Sequence, residues 1–419
     1  MTAWAMILFW VLLGLAAVQM LAALRFIGTL RRARRARNET APCPKTAVIL
    51  CLRGSDPFLS ACLEGILHQD YPCYDVRIVV DSPEDPAWRT VEQVVARSGA
   101  TNVRVRSLTD RRQTCSLKCS SLLQAISELD ASYEVVALID ADIIPHRTWL
   151  RELVAPLVDD RVAAATGNRW YMPARLSWGS LVRWLWNAAA VVQMYWWHIP
   201  WGGTLALKMS VLRQSDVIDR WAQAFCEDTM LYGVLRRRGY RLAFVPSLMM
   251  VNREDCSIAG FYRWVRRQLL TVRLYHPGWA FIAGHGLGIS VAQLAGIVCL
   301  SAAVGTGHGY PAAWLAAGLG LYGATMAVLL AVMEISVRPV PAARGEPTAW
   351  LRVCDLPRVL PAMLLTQGVY AVALLSALFL RIVEWRGIRY CVQGPKKIRM
   401  IEYRPYGGTG TSEPAEESL

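Results

Sequence analysis

The residues best suited to chemistry are two aspartates at the end of an apolar run. The segment 135–145, "VVALIDADIIP", is hydrophobic until Asp140 and Asp142 appear with one residue between them. Side chains two residues apart on an extended chain lie on the same side, so both carboxylates can converge on one divalent cation. Mg²⁺ or Mn²⁺ held in this way usually completes its shell with phosphate oxygens and water. The pattern predicts a metal bridge to a phosphorylated ligand, with helix-capping aspartates as the alternative.

Acidic residues follow two other apolar segments. Asp81 ends "DVRIVVD" (75–81), where an acceptor could bind a uracil base or a ribose. Glu227 and Asp228 lie in "AFCEDTMLYG" and are predicted to open an amphipathic helix that ends near Gly239. The helix dipole favours acid in a first turn, which is the simpler explanation. Two adjacent acids also suit proton transfer, with Asp228 as general base and Glu227 as its orienting neighbour.

Three arginines precede the second long apolar stretch of the chain. Arg263, Arg266 and Arg267 occupy positions i, i+3 and i+4 of "FYRWVRRQ", which places them on one helix face. Guanidinium groups can bind a pyrophosphate bidentately. The alternative is a basic patch that flanks a membrane helix.

The elements that must position these side chains alternate between β and α patterns. Short runs rich in Val and Ile are separated by helical spacings at 57–69 and 121–129, which predicts an open α/β domain over residues 45–275. Ligands of such sheets bind at the carboxyl ends of the strands, where the acids lie. The predicted strands are 46–52, 75–81, 102–108, 134–140 and 162–168.

The remaining apolar segments predict a membrane protein. Residues 4–24 are long enough to span a bilayer and predict an anchor within 1–30. A cleaved signal peptide would carry its basic residues before the apolar run, whereas here the basic run "RRARRAR" (31–37) follows it. The positive-inside rule then places the α/β domain in the cytoplasm. Segments 279–303, 311–333 and 359–380 predict a membrane region of about three helices over 279–383. The aromatic stretch 181–201 predicts a helix in the membrane interface.

The C-terminal segment conflicts with that count. We expect residues 384–419 to form a basic and then disordered tail, yet three further crossings would leave its basic part outside, against the positive-inside rule. Either one segment is re-entrant, or 181–201 dips further into the membrane, or the tail breaks the rule.

Charge and cysteine content exclude other classes. The net charge of +13 is explained largely by arginines beside membrane segments, so we do not predict nucleic acid binding. The eleven cysteines form no CxxC pair, which favours reduced core residues over disulfides or zinc ligands.

Together these motifs resemble membrane-bound family 2 inverting glycosyltransferases, whose series is D, DxD, (E)D and (Q/R)xxRW. The similarity is greatest to the ceramide glucosyltransferase branch, through "LRGSDPFL", "DYPCYDVRIVVDSPEDPA", "SLKCSSL" and "EWRGIRYCVQG". Lys118 matches a lysine near the family's nucleotide pocket, whereas the terminal tryptophan of the last motif is Arg267 here.

The resemblance implies a GT-A domain that binds a nucleotide sugar, most simply UDP-linked, through a Mg²⁺ or Mn²⁺ on Asp142 and Asp140. Asp81, Lys118 and the three arginines would contact the donor. Asp228 would deprotonate the hydroxyl of a lipid such as ceramide, a sterol, a hopanoid or diacylglycerol, and the attack would invert the anomeric carbon. A processive polysaccharide synthase and a non-catalytic membrane scaffold are the alternatives.

Overall fold

The computed structural model of the protein describes residues 1–33, 42–348, 351 and 353–406. Part of the predicted topology signal, the arginines at 34, 35 and 37, lies outside the described residues. The polar end of the chain from position 407 lies outside them as well.

A seven-stranded sheet forms the centre of the α/β domain, and it confirms the predicted fold class. Its order is β3-β2-β1-β4-β6-β5-β7, and only β6 runs antiparallel to its neighbours. Strands buried on both faces read as continuous apolar runs, as in β4, all of whose side chains are buried. The strands are β1 Thr46–Leu52, β2 Tyr74–Val80, β3 Val103–Ser107, β4 Val135–Ile139, β5 Val162–Tyr171, β6 Thr204–Lys208 and β7 Arg241–Asn252.

Helices cover both faces of this sheet and enclose two hydrophobic cores. Side chains of α2, α3 and α5 pack on one face, and those of α4, α8 and α9 pack on the other. The helices up to this point of the chain are α1 Thr2–Ala33, α2 Leu59–Leu67, α3 Pro86–Ser98, α4 Leu117–Ser127, α5 Trp149–Val154, α6 Trp178–Trp197, α7 Met209–Gln214, α8 Val217–Trp221 and α9 Leu231–Arg237.

Two strands, β6 and β7, were not predicted from the sequence. Strand β7 contains Pro246, which cannot donate a backbone hydrogen bond and interrupts the apolar pattern. The structure tolerates it because β7 lies at the sheet edge and its pairing with β5 shifts register around this residue. Strand β6 has only five residues, directly after Gly202 and Gly203.

Four described helices are long and apolar enough to cross a membrane, by length and composition. Each corresponds to one of the predicted apolar segments, and the last helix ends at Phe379, one residue before the predicted end. The predicted interfacial segment forms α6, which packs against α10 and α14 and buries Arg183 beside Glu254. The helices after β7 are α10 Ile258–Tyr275, α11 Trp279–Gly305, α12 Gly309–Val337, α13 Pro339–Ala342 and α14 Leu356–Phe379.

Both ends of α14 contact elements of the α/β side of the molecule. At its start Arg358 donates to the carbonyl oxygen of Leu176, just before α6, at 2.8 Å. At its end the Arg273 guanidinium of α10 donates to the carbonyl oxygen of Leu380 at 2.9 Å. The chain therefore enters and leaves α14 next to the amphipathic helices of the domain.

The C-terminal segment is a folded element and not an extended tail over its described part. It forms an antiparallel sheet of β8 Ile382–Trp385, β9 Ile388–Gly394 and β10 Lys397–Tyr403. Buried Ile388, Tyr390 and Val392 join one of the two cores of the α/β domain. Thus residues about 330 positions apart meet at the carboxyl ends of β1 and β2.

Candidate active site

A polar cavity of about 150 Å³ lies at the carboxyl ends of β1 and β4. Its charged side chains are balanced, with five basic and five acidic groups, which is unusual for so small a volume. They are Arg53, Lys118, Arg169, Arg267 and Arg386, and Asp56, Asp140, Asp142, Glu227 and Asp228.

The two aspartates that follow β4 lie in this cavity, as their spacing predicts. Asp140 accepts a hydrogen bond from the Lys118 ammonium at 2.7 Å. Asp142 accepts through Oδ2 from Arg169 at 3.2 Å and from the Asn252 amide at 3.3 Å. Burial alone would raise the pKa of Asp140, but the Lys118 charge lowers it below its ordinary value.

One oxygen of this pair is placed to bind a cation. Oδ1 of Asp142 is buried without a hydrogen-bond partner, and burial raises the pKa of Asp142 to about 6, against the lowering effect of Arg169. A buried carboxylate oxygen with no donor is costly unless a ligand satisfies it. Among the described residues no group of three or more His, Cys, Asp or Glu could hold an ion. The arrangement therefore fits a two-carboxylate site whose remaining positions are filled by phosphate and water oxygens.

Lys118 joins the aspartate pair to the second acidic motif. Ser116 caps α4 and so places Lys118 in its first turn, where the ammonium also reaches Glu227 at 2.7 Å. Burial would lower the pKa of Lys118, but Asp140 and Glu227 raise it well above its ordinary value. Gly202 allows this packing, because a Cβ there would lie 1.9 Å from Oε1 of Glu227.

Asp228 is fixed in orientation by three short contacts. Its Oδ2 accepts from the Gly202 backbone N–H at 2.9 Å, and its Oδ1 accepts from the Thr229 hydroxyl at 2.8 Å and from the Thr229 backbone N–H. The prediction that Glu227 and Asp228 open a helix is wrong, because α9 begins only at Leu231 and both acids lie in the preceding loop. The loop lets the two carboxylates point in different directions, which a helical turn would restrict.

Asp81 lies outside the lining of the cavity. Its buried carboxylate accepts from Arg53, from Arg111 at 3.1 Å, and from the Tyr403 hydroxyl at 3.0 and 3.1 Å. Its oxygens are thus already engaged by the protein, and its contact with a nucleotide remains a prediction.

Of the three predicted arginines, only Arg267 lines the cavity among the residues described. Arg263 is exposed and Arg266 lies over the Tyr262 ring, so these two are not placed where a ligand in this cavity would meet them. The face of α10 that enters the cavity carries Trp264, Arg267, Gln268 and Thr271.

Three cavity arginines were not predicted, namely Arg53, Arg169 and Arg386. Arg53 directly follows β1, and Arg169 stands near the end of β5, where it packs over the Trp201 ring at 4.7 Å. A search for basic as well as acidic side chains at strand ends would have found the first. Arg386 comes from the turn between β8 and β9, and no local pattern connects it to the domain.

A second, larger cavity of about 1200 Å³ lies between the apolar helices. Side chains of α1, α6, α11, α12 and α14 form most of its wall, and most of them are hydrophobic. It meets the polar cavity at residues that line both, which are Arg169, Trp201, Asp228, Trp264, Gln268 and Thr271. Asp228 therefore lies at the junction of the polar cavity and this apolar cavity.

The model of glycosyl transferase family 21 matches residues 7–398. The chain belongs to glycosyl transferase family 21. It is therefore a glycosyltransferase, and its mixed sheet with flanking helices is the GT-A domain predicted from the motifs.

Among solved structures, this chain is similar to the mannosyltransferase PcManGT from Pyrobaculum calidifontis, in complex with GDP-Man and Mn²⁺. The identity is 20% over 89% of this chain and 99% of that chain, with a TM-score of 0.47. It is also similar to glucosyl-3-phosphoglycerate synthase from Mycobacterium tuberculosis, in complex with phosphoglyceric acid. There the identity is 17% over 59% of this chain and 82% of that chain, with a TM-score of 0.35.

Proposed function

We propose that this family 21 transferase moves a hexose from a nucleoside diphosphate sugar, UDP-linked by preference, to the hydroxyl of a membrane lipid, with inversion at the anomeric carbon. The position of Asp228 carries the proposal. Its carboxylate lines both the polar and the apolar cavity, so a donor in the first and an acceptor in the second would meet at this residue.

Asp140 and Asp142 would hold a Mg²⁺ or Mn²⁺ ion, whose chemistry is to neutralise charge on the diphosphate. The unpartnered Oδ1 of Asp142 suits a site that an ion shares with phosphate oxygens. Lys118 keeps Asp140 ionised for this purpose and fixes its rotamer through the hydrogen bond at 2.7 Å.

The transfer itself would be a single displacement. Asp228 accepts the proton of the acceptor hydroxyl while that oxygen forms a bond to the anomeric carbon. The bond from this carbon to the diphosphate oxygen breaks on the opposite side, and the nucleoside diphosphate leaves with the electron pair. Arg267 stabilises the leaving charge, and Glu227 acts as the orienting neighbour because it holds Lys118 and packs against Gly202 beneath Asp228.

The apolar cavity supports a lipid acceptor. Its wall is hydrophobic, and its volume of about 1200 Å³ exceeds the roughly 300–1,000 Å³ of ordinary ligand pockets. A growing polysaccharide would need a channel that hydrates or hydrogen-bonds sugar hydroxyls along its length. The lining beyond Asp228 includes polar side chains such as Gln193, Gln293 and Gln367, but most of it is hydrophobic, which favours lipid transfer over the polysaccharide synthase alternative.

Contacts of α14 and of the C-terminal sheet with the α/β domain support a particular membrane arrangement. We place α1, α11 and α12 across the bilayer. We place α14 with both ends on the side of the α/β domain, so that it does not cross, as in the re-entrant alternative. Contacts of both ends of α14 with Leu176 and Arg273 support this placement, as does the docking of β8–β10 on the domain. The basic C-terminal segment then shares the cytoplasmic side with Arg31 and Arg32, in agreement with the positive-inside rule.

The test is sugar transfer by the purified full-length protein in detergent, from a panel of radiolabelled nucleotide sugars into a total lipid extract, with divalent metal present or chelated. Metal-dependent label in one lipid band is the expected result, and it would identify donor and acceptor together. Label in an insoluble polymer would contradict the proposal and favour a processive polysaccharide synthase. No label in any fraction would favour the non-catalytic scaffold.

A further inference from the structure

The turn between β8 and β9 presents Arg386 to the polar cavity from a distant part of the chain. Its Nη2 donates to both carboxylate oxygens of Asp56, at 2.9 and 3.0 Å, and its Nη1 donates to the carbonyl oxygen of Arg53. Its own carbonyl oxygen accepts from Nε of Arg53 at 2.8 Å. The small sheet is held in place by further contacts, from the Tyr403 hydroxyl to Asp81 and from the Leu117 backbone N–H to the Tyr390 hydroxyl. The turn is thus a fixed wall of the cavity.

The backbone of this turn is disfavoured for arginine. Arg386 has a φ of 49° and Gly387 a φ of 71°, and the two residues alone connect β8 to β9. A two-residue hairpin with positive φ at both positions prefers Asn-Gly or Asp-Gly, because a Cβ is strained in the left-handed region. Departures from local preference of this kind concentrate at functional sites. The side chain at 386 therefore has a role that an asparagine would not fill.

Charge in the cavity indicates what that role is. Arg386 lines it together with Arg267, which stacks over the Trp385 ring at 4.7 Å and has no carboxylate of the described residues within ion-pairing distance. Burial, together with the charges of Arg386 and Arg169, lowers the pKa of Arg267 to about 10. A cation in such surroundings is stabilised by an anion placed between the guanidinium groups.

We propose that Arg386 is a donor-binding residue and that it holds the diphosphate of the nucleotide sugar together with Arg267, opposite Asp140 and Asp142. The inference rests on the proposed function, because it requires a nucleoside diphosphate in the polar cavity. It makes the C-terminal sheet part of the donor site, so a catalytic domain that ends before α11 lacks one wall of its nucleotide pocket.

A purely structural role is the competing explanation, since the Arg386–Asp56 pair could serve only to hold the sheet in place. A donor-binding role and a purely structural role predict different results for ligands with and without a diphosphate. Loss of a diphosphate contact weakens binding of a nucleoside diphosphate and leaves the parent nucleoside unaffected. Loss of the sheet weakens both.

The experiment measures binding of UDP and GDP, and of uridine and guanosine by competition, to the full-length protein in detergent with Mn²⁺. The key variant is Arg386→Asn, which removes the cation but suits the turn, and Arg386→Lys keeps a charge without the bidentate geometry. Arg389→Asn is the matched control, because Arg389 lies on β9, pairs with Glu402 and is exposed outside the cavity. Thermal unfolding of each variant is followed in parallel.

We expect Arg386→Asn to weaken nucleoside diphosphate binding by about 10–150-fold, the range for a lost hydrogen bond to a charged group. Nucleoside binding and the unfolding midpoint should change little, Arg386→Lys should be intermediate, and Arg389→Asn should resemble the wild type. Equal losses for nucleotide and nucleoside, or no loss for either, would overturn the role of Arg386. If the wild type itself binds no nucleoside diphosphate, the proposed function fails first and the inference fails with it.

Discussion

The polar and the apolar cavity share six residues but are built by opposite means. In the polar cavity ten charged side chains surround about 150 Å³, and hydrogen bonds fix Asp140, Asp142 and Asp228. In the apolar cavity about 1200 Å³ is enclosed mainly by hydrophobic side chains from five helices. The first can select a ligand by charge geometry, and the second mainly by volume and hydrophobicity.

This difference sets how each cavity should respond to substitution. Electrostatic interactions in a small, desolvated site are strong, and removal of one partner leaves another charge uncompensated. Apolar contacts are individually weak and shared among many groups. Single substitutions should therefore have abrupt effects in the polar cavity and graded effects in the apolar one.

The largest effect is expected for Asp228→Asn, where the two cavities meet. The amide cannot accept the hydroxyl proton, so we expect turnover to fall by about 10²–10⁴-fold, the usual contribution of general base catalysis. Binding of nucleoside diphosphate should be preserved, because the three contacts that fix the side chain involve Gly202 and Thr229 and not the donor. Initial rates of lipid glycosylation and nucleotide affinity are measured on the same preparation.

The matched control is Asp219→Asn, an exposed aspartate nine residues earlier on α8 that lines neither cavity. It should retain wild-type turnover. If Asp228→Asn lost nucleotide affinity in proportion to its rate, the residue would belong to the donor site and not to the junction.

A smaller but more diagnostic effect is expected for Asp142→Asn. The variant removes a proposed metal ligand, so the gain in UDP affinity on addition of Mn²⁺ should shrink by at least about 10–100-fold, the cost of losing even an outer-shell partner. Without metal, UDP should bind more tightly than to the wild type, because the charge of Arg169 is no longer neutralised. Titration of UDP with and without Mn²⁺ checks both signs, and a parallel change in the two conditions would argue against a metal on Asp142.

The acidic residues of the polar cavity could largely be predicted from the sequence, because they follow apolar runs that are typical of buried strands. An apolar run that ends at an acidic residue indicated Asp140 and Asp142, which line the polar cavity. The fold class of the α/β domain followed from the alternation of β and α patterns. The arginines show the limit of this reasoning. Spacing places Arg263, Arg266 and Arg267 on one helix face, but the rotation of α10 is fixed by buried Phe261 and Val265, which turn Arg267 alone toward the cavity.

Tertiary docking accounts for what could not be predicted. Arg386 reaches Asp56 across 330 residues of sequence, and neither residue stands in a pattern that refers to the other. The position of α14 is also decided by partners far along the chain, Leu176 and Arg273, while its composition alone suits a membrane span. The composition of a helix indicates whether it can lie in lipid, but it does not determine the orientation of the helix relative to the membrane.

The smallest effect, and the one that tests the apolar cavity by itself, is expected for Gly323→Leu on α12. Gly323 lines this cavity, and a Cβ there meets no atom within 4 Å, so the backbone position accepts a side chain, which would occupy part of the cavity. The change also removes the roughly 1 kcal/mol helix penalty of glycine, so the variant should not be less stable. A methylene in a tight pocket alters specificity by about 10–200-fold, and in this larger cavity we expect kcat/KM for the lipid to fall by only about 3–10-fold.

Gly320→Leu is the control for this substitution, because Gly320 lies on the same helix, also has no neighbour within 4 Å of a Cβ, and is exposed outside the cavity lining. It carries the same change in volume and helix propensity, so lipid transfer by this variant should match the wild type. Nucleotide affinity should be unaffected by either variant. If Gly320→Leu slowed transfer as much as Gly323→Leu, the lipid would enter by the outer face of α12, and the division of labour between a charged donor cavity and an apolar acceptor cavity would not hold.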